Sequence, residues 1–267
     1  MNNKQHQTQQ LAERLDKAAI TATATPQLSQ DYPEINLSQA YQIQQASIAR
    51  RLSRKERLVG VKMGFTSRAK MVQMGVDDLI WGQLTDNMQL VEGGILNMQH
   101  YVHPRIEPEI AFRLKKSLKG KVSLTEAMAA VEAIAPALEI IDSRYANFKF
   151  SLTDVVADNS SSSAFVLGPW CAPSEDISNQ AMILCINGRP QEVGSSAAIL
   201  GNPYRSLVEA ARLASESGLC LEAGWTVLAG AATAAQALSA NSHIQLKTST
   251  LGDVHLYTSA AKQGAAI

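Results

Sequence analysis

The spacing of apolar residues along this chain is helical near the N-terminus and mostly strand-like afterwards. Residues 9–20 put Leu11, Leu15, Ala18, Ala19 and Ile20 near helical spacing, which predicts a first helix. A polar stretch through Pro26 and Pro33 follows. Ser38 reads as the N-cap of a second helix reaching about Arg57, with Ala40, Ile43, Ala46, Ile48 and Leu52 on its apolar face. Its other face carries Arg50, Arg51, Arg54, Lys55 and Arg57, a solvated run that complements the dipole at the helix C-terminus. Over residues 58–66 the period drops to two, with Val59, Val61, Met63 and Phe65 on one face and Gly60, Lys62 and Gly64 on the other. A short helix is predicted over residues 68–74, ending at Gly75.

Beyond that point strands dominate. They are predicted at residues 82–90, 105–114, 138–142, 164–167, 182–186, 226–230, 244–248 and 252–257. Two helices interrupt them: residues 125–134, stopped by Pro136, and residues 203–217, stopped by Gly218. Ile186-Asn187-Gly188-Arg189 is an Asn-Gly hairpin turn. The pattern divides the chain into a helical N-terminal region, residues 1–80, and a mixed, largely β body, residues 81–267.

Composition narrows the functional classes. The chain is 46% hydrophobic and 18% charged, enough apolar content for a real core. Lys plus Arg and Asp plus Glu both number 24, so no global basic field draws it to nucleic acid or anionic membrane. Zero net charge favours a homo-oligomer. Cys171, Cys185 and Cys220 are an odd set without CxxC spacing and read as unpaired thiols in a reducing compartment. The polar start, Met1-Asn2-Asn3-Lys4-Gln5-His6, lacks the apolar core of a secretory signal, and no apolar run reaches spanning length. Together these predict a cytoplasmic protein.

The chemistry concentrates in Arg105-Ile106-Glu107-Pro108-Glu109-Ile110 and in Ala137-Leu138-Glu139-Ile140-Ile141. An ionised carboxylate buried in apolar strand sequence costs several kcal/mol unless compensated. Glu107 and Glu109 share one strand face, opposite Ile106, Ile110 and Phe112, and can converge on one ion. Carboxylate oxygens suit Mg²⁺ or Mn²⁺. The competing interpretation is a solvated Glu-x-Glu face, which the apolar neighbours of Glu139 weigh against. Pro108 lacks an amide donor and points to an edge or a bulge.

Lys62, between two glycines, is either a surface lysine on an edge strand or an ammonium facing a cavity that the glycines open. Asp158-Asn159-Ser160-Ser161-Ser162-Ser163, just ahead of Ala164-Phe165-Val166-Leu167, reads as an ordered, hydroxyl-rich loop of the kind that carries ligand contacts. His100 and His103 have no metal-ligand spacing to another His or Cys and read as structural. There is no GxGxxG or P-loop motif.

Taken together, these motifs resemble the fumarylacetoacetate hydrolase superfamily, in its hydratase and decarboxylase branch. The resemblance spans nearly the whole chain. It rests on Gly60-Val61-Lys62-Met63-Gly64-Phe65-Thr66-Ser67, on Glu107-Pro108-Glu109-Ile110-Ala111-Phe112 and on Pro136-Ala137-Leu138-Glu139-Ile140-Ile141-Asp142-Ser143-Arg144. It continues in Val156-Ala157-Asp158-Asn159-Ser160, Leu200-Gly201-Asn202-Pro203 and Ala229-Gly230-Ala231-Ala232-Thr233.

The resemblance implies an α+β fold, with a mixed-sheet body of the superfamily type behind a smaller helical region. It implies that Glu107, Glu109 and Glu139 hold Mg²⁺ or Mn²⁺ and that Lys62 is the active-site lysine. Hydratases of the branch carry an Asp-Phe-Gly where this chain has Ile80-Trp81-Gly82, and isoleucine cannot activate water. The expected activity is therefore metal-dependent decarboxylation of (3E)-2-oxohex-3-enedioate to 2-hydroxypenta-2,4-dienoate. Asp77 and Asp78 lie close enough that a small shift would return a carboxylate to the site.

In this reading Ile80 keeps the pocket dry and Ser161 or Ser162 orients a carboxylate. Arg144 or Arg105 does the same or pairs with the acids. The alternatives are hydration of 2-hydroxypenta-2,4-dienoate, C–C hydrolysis of an acylpyruvate and a non-catalytic scaffold. The resemblance is also compatible with a complex with a 2-oxopent-4-enoate hydratase.

Overall fold

A computed structural model describes residues 3–67, 71–72 and 78–260. The helical part opens with α1 (Asn3–Thr21), the short α2 (Leu28–Asp31) and α3 (Leu37–Ser53). α3 is capped two residues earlier than the predicted Ser38. Asn36 is the cap, accepting from the Gln39 amide, while the Gln39 side chain accepts from the Asn36 amide, a reciprocal capping box. The helix ends at Ser53 rather than Arg57, because Lys55 takes a left-handed conformation. α1 and α3 pack through Leu11, Leu15, Ala40 and Ile43 against Ile80, Tyr145 and Val155 to Ala157. Asp16 of α1 is buried and accepts from both Arg50 and Arg54 of α3.

Two sheets form the rest. The larger contains β1 (Leu58–Gly64), β2 (Ile80–Thr85), β3 (Gln89–Leu90), β5 (Arg105–Leu114), β6 (Val131–Ile141), β7 (Ser162–Leu167), β10 (Thr226–Ala231) and β11 (Gln236–Ala237). Its order is β2-β1-β10-β5-β6-β7-β3, with β11 on β5. The smaller holds β4 (Ile95–Leu96), β8 (Ala181–Ile186), β9 (Arg189–Ser195), β12 (His243–Thr248) and β13 (Val254–Thr258) in the order β4-β13-β12-β8-β9. Asn187 and Gly188 both take positive φ in the β8–β9 hairpin, as an Asn-Gly turn requires. Helices α4 (Leu124–Ala130), α5 (Leu152–Ala157) and α6 (Pro203–Glu216) complete the chain. α6 has Asn202 as cap and Pro203 in its first turn, and Gly218 follows it at φ +78.

The predicted helix over residues 68–74 lies mostly outside the described residues. The helix predicted over residues 125–134 is shorter than expected, because the chain turns extended at Val131 and Pro136 sits inside β6. Pro136 is tolerated because a strand residue's N and C=O point the same way. Its carbonyl accepts from Gly168, where β7 has just ended, so no ladder donor is missing. Pro108 is placed similarly, in a central strand rather than at an edge, with its carbonyl accepting from Ala232 beside a bulge in β10.

The two faces of the β5–β6 pair differ. Ile106, Ile110 and Phe112 point into the main core with Tyr204 and Leu207 of α6 and Ile244, Leu246 and Leu256 of the second sheet. The opposite face is apolar at one end, through Ala111, Ala135, Ala137, Phe165 and Leu228. At its other end the same face carries Glu107, Glu109 and Glu139.

Candidate active site

Strand alternation puts Glu107 and Glu109 on one face of β5, and antiparallel register sets Glu139 directly across from Glu107. One oxygen from each of the three carboxylates lies within 4.8 Å of the others. Glu109 and Glu139 are fully buried and Glu107 is nearly so. Like charges directly opposed across a strand pair are destabilising on their own. Burial, followed by the neighbouring Glu139, pushes Glu109 well above the usual carboxylate range. Glu139 is also raised, by burial first and against the pull of Lys62.

Glu109 and Glu139 are each anchored through one oxygen. Glu109 Oε2 accepts from the Gly230 amide at 2.7 Å. That amide is free because β10 bulges, placing Ala229 and Gly230 opposite Ile110 alone. Gly230 has φ +105, and a Cβ there would meet Thr66 Oγ1 at 2.1 Å, so only glycine fits. Glu139 Oε1 accepts from Ser162 Oγ at 2.9 Å. Glu109 Oε1 has no hydrogen-bond partner among the described residues, and Glu139 Oε2 is met only by the Lys62 ammonium. Buried carboxylate oxygens left this way match a hard divalent cation, so the donor set fits Mg²⁺ or Mn²⁺.

Lys62 reaches the same place from β1. Its Nζ stands 3.0 Å from Glu139 Oε2 and donates to the Ser160 carbonyl at 3.1 Å. Burial alone would lower its pKa, but Glu139, Glu107 and Glu109 together raise it, so the group stays an ammonium. The flanking glycines also serve packing, and Gly64 lines the cavity beside Lys62. A Cβ at Gly60 would meet the Thr226 carbonyl of β10 at 1.8 Å, and one at Gly64 would meet the Ile80 side chain at 2.8 Å. They admit a neighbouring strand and a neighbouring side chain.

A cavity of about 320 Å³ opens over these groups, reached by Lys62, Glu107, Ile80, Arg105 and Ser161 and walled by Phe148 and Phe150. Asn159, Ser160 and Ser161 all take positive φ, a strained run. Asn159 holds it on β2, accepting from the Gln83 amide and donating to the Gln83 carbonyl. Ser161 Oγ is buried on this cavity and has no partner among the described residues.

Two expected contacts fall elsewhere. Ser162 is turned onto Glu139 and does not line the cavity. Arg144 is buried away from it: its Nε donates to Asp158 Oδ1 at 2.5 Å, its backbone N to Asp158 Oδ2 at 2.9 Å and its remaining nitrogens to Ser163 Oγ and the Asp158 carbonyl. A guanidinium so held, with all three nitrogens engaged and away from the cavity lining, is not placed to meet a substrate there. Asp78 is likewise turned away, paired with Arg212 at 2.8 Å, and Asp77 lies outside the described residues. His103 contacts the Tyr145 carbonyl, which is a structural role as expected. Sequence reasoning missed the Ser160 carbonyl, the Gly230 amide and the two phenylalanines. A backbone partner carries no signature in sequence, and Phe148 is brought in by a turn with positive φ at Asn147 and Phe148.

The family model described as fumarylacetoacetate (FAA) hydrolase C-terminal matches residues 64–256. The chain belongs to the fumarylacetoacetate hydrolase family. It is 56% identical over 248 residues to a 4-oxalocrotonate decarboxylase from a Pseudomonas species, covering 93% of this chain and 96% of that one. A solved 4-oxalocrotonate decarboxylase from Pseudomonas putida G7, complexed with magnesium and adipate, superposes with a TM-score of 0.93 at 35% identity. That match covers 95% of this chain and 98% of the solved one. A 2-keto-4-pentenoate hydratase from Paraburkholderia xenovorans strain LB400 is 36% identical over 84% of this chain and 85% of its own length. The mixed sheets behind a small helical region are the family's α+β fold.

Proposed function

We propose that this protein decarboxylates (3E)-2-oxohex-3-enedioate to 2-hydroxypenta-2,4-dienoate and CO₂. The observation that carries this reading is a metal-ready carboxylate cluster and one ammonium under a cavity whose wall at Ile80 offers no base for water. The relatives support it, since decarboxylase similarity exceeds hydratase similarity. Against the hydratase, Asp78 is engaged with Arg212 and Ile80 faces the cavity.

In this reading Glu107, Glu109 and Glu139 hold Mg²⁺ or Mn²⁺, which supplies Lewis acidity toward the 2-oxo group and the C1 carboxylate. The protein's own groups do the rest. As the C5–C6 bond breaks, its electron pair forms a C4–C5 double bond, the C3–C4 pair shifts to C2–C3, and negative charge collects on the C2 oxygen. Lys62 faces that charge and gives the proton that completes the dienol. Ser161 donates its free hydroxyl to a substrate carboxylate. Ile80, Phe148 and Phe150 exclude water, which strengthens each of these interactions.

The smaller region, residues 1–80, carries α1 to α3 but also lends β1, with Lys62, and the first residue of β2, Ile80, to the larger sheet, and residues 81–267 supply the rest of the catalytic body. The product and substrate chemistry supports a step in meta-cleavage breakdown of aromatic compounds. Unpaired Cys171, Cys185 and Cys220 support a reducing, cytoplasmic setting, and zero net charge supports a homo-oligomer. Among the described residues no helix is long and apolar enough to cross a membrane.

The test is to incubate purified protein with 2-oxohex-3-enedioate and Mg²⁺, following CO₂ release and product identity by NMR, with EDTA as control. Metal-dependent CO₂ release is expected. Its absence, together with hydration of added dienoate, would transfer the assignment to the hydratase.

A further inference from the structure

Arg105 is the cation of the cavity that the reaction above leaves unused. It lies on β5 two residues before Glu107, so its side chain leaves the strand on the face that carries Glu107 and Glu109. Its guanidinium carbon sits 4.1 Å from the centre of the Phe148 ring. Among the described residues it makes no ion pair with a carboxylate. Stacking on an aromatic uses the flat face of a guanidinium and leaves the N–H groups around its edge free, a fork matched to a carboxylate.

The ring beneath it is deliberately placed. Asn147 and Phe148 both take positive φ, and an aromatic residue there is a genuine outlier. Phe148 packs edge-on against Phe150 and His103. Backbone strain is therefore accepted at the point that sets the height of Arg105, as happens at ligand clamps.

The backbone spacing along β5 suits a diacid of about six carbons. Two residues of strand advance about 6.7 Å. The terminal carbons of an extended six-carbon diacid are about 6 Å apart, from five C–C bonds in zigzag. We propose that β5 is a ruler: the carboxylate cluster fixes the 2-oxo acid end of the substrate, and Arg105 binds the distal carboxylate of a six-carbon diacid. The inference rests on the decarboxylase reading and names its specificity determinant. It also explains how one carboxylate cluster tells a diacid substrate from its monoacid product, which has no group left for Arg105.

The distal carboxylate is the one expelled. An interaction held alike in the ground state and in the transition state, and released only with CO₂, strengthens binding without lowering the chemical barrier. Arg105→Met is therefore expected to raise KM for 2-oxohex-3-enedioate roughly tenfold to a hundredfold while kcat changes little. Arg105→Lys, with charge but no fork, should recover part of that loss.

The deciding measurement is calorimetric binding, in Mg²⁺, of 2-oxohexanedioate and 2-oxohexanoate, which match in length and differ by the distal carboxylate. Wild type should bind the diacid roughly tenfold or more tighter. Arg105→Met should erase that gap and leave the monoacid unchanged. Equal weakening of both ligands would mean Arg105 merely supports the wall, and an unchanged gap would remove it from recognition; either result overturns the proposal. Because this readout is binding, it stands apart from turnover: a wild type that shows the gap but releases no CO₂ would overturn the decarboxylase reading instead.

Discussion

Arg144 with Asp158 forms one buried charge cluster, and Lys62 with Glu107, Glu109 and Glu139 forms another. The turn from Asp158 to Ser162 touches both, through Asp158 at one end and the Ser160 carbonyl and Ser162 hydroxyl at the other. In the first cluster each carboxylate oxygen of Asp158 accepts from Arg144, and the guanidinium is used at Nε and both terminal nitrogens. In the second, one ammonium faces three carboxylates, and the buried Glu109 Oε1 lacks any hydrogen-bond partner among the described residues. Both are equally inaccessible, so burial does not separate structure from function here. Completion does: a saturated cluster is a finished piece of scaffold, and an unsaturated one is waiting for a ligand.

The sharpest way to break this contrast is Glu109→Gln. The amide carbonyl can still accept from Gly230, so the fold is preserved, while one charged ligand is lost. Activity is expected to fall roughly a thousandfold, about 4 kcal/mol of lost charge stabilisation. The metal-free variant should be more stable than metal-free wild type by about 1 kcal/mol, since a buried charge disfavoured by burial and by Glu139 is gone. Thermal unfolding in EDTA measures this. Added Mg²⁺ at a hundred times its Kd should stabilise wild type by about 2.7 kcal/mol and the variant far less. A variant destabilised in EDTA would mean that the acids are structural.

Arg144→Met asks the opposite of the finished cluster. It leaves Asp158 charged and buried alone, with an expected loss of about 3–5 kcal/mol in denaturant unfolding. Pairing it with Asp158→Leu should restore most of that loss. A double variant as unstable as the single would show that more than the ion pair is at stake.

Asp16 extends the comparison to the rim, where its partners Arg50 and Arg54 are half-exposed. Burial would raise its pKa, but the two arginines override this and hold it below the usual Asp value. A depressed carboxylate stabilises above its unfolded pKa, near 3.8, and loses that contribution as pH falls through its lower folded value. Asp16→Asn should cost about 2 kcal/mol at pH 7, and the gap to wild type should close below about pH 4. A pH-independent difference would assign the effect to packing between α1 and α3.

How much of this was legible in the chain depends on whether a feature is local. The whole of β5 could be read because apolar and polar residues alternate from Arg105 to Leu114, and the acids fell on the face opposite Ile106 and Ile110. Glu139 could be read because its neighbours are all apolar. The start of β6 could not, since Pro136 normally ends an element and only the end of β7 beside it removes the penalty. The choice between a surface lysine and a cavity-facing one could not be made at Lys62 for a related reason: the Thr226 carbonyl and Ile80 beside its glycines come from other strands. Ser162 and Arg144 stand close in sequence to groups that reach the cavity, yet side-chain direction over one or two residues decides which of them faces it. The bulge at Ala229 and Gly230, which frees an amide for Glu109, has no local signal beyond the glycine itself.

The pairing of β1 with β10 has a consequence for when the protein becomes an enzyme. β10 lies between β1 and β5, and it joins residues 60–62 to residues 226–228. The lysine and the acids that keep it charged are thus brought together by a strand made late in synthesis. Such a long loop is slow to close. A nascent chain that has not yet released β10 has made every acid and the lysine but has no strand to join them. The electrostatic tension of the site is therefore absent from the partly made chain, and it arises only in the step that also brings the core to close around it.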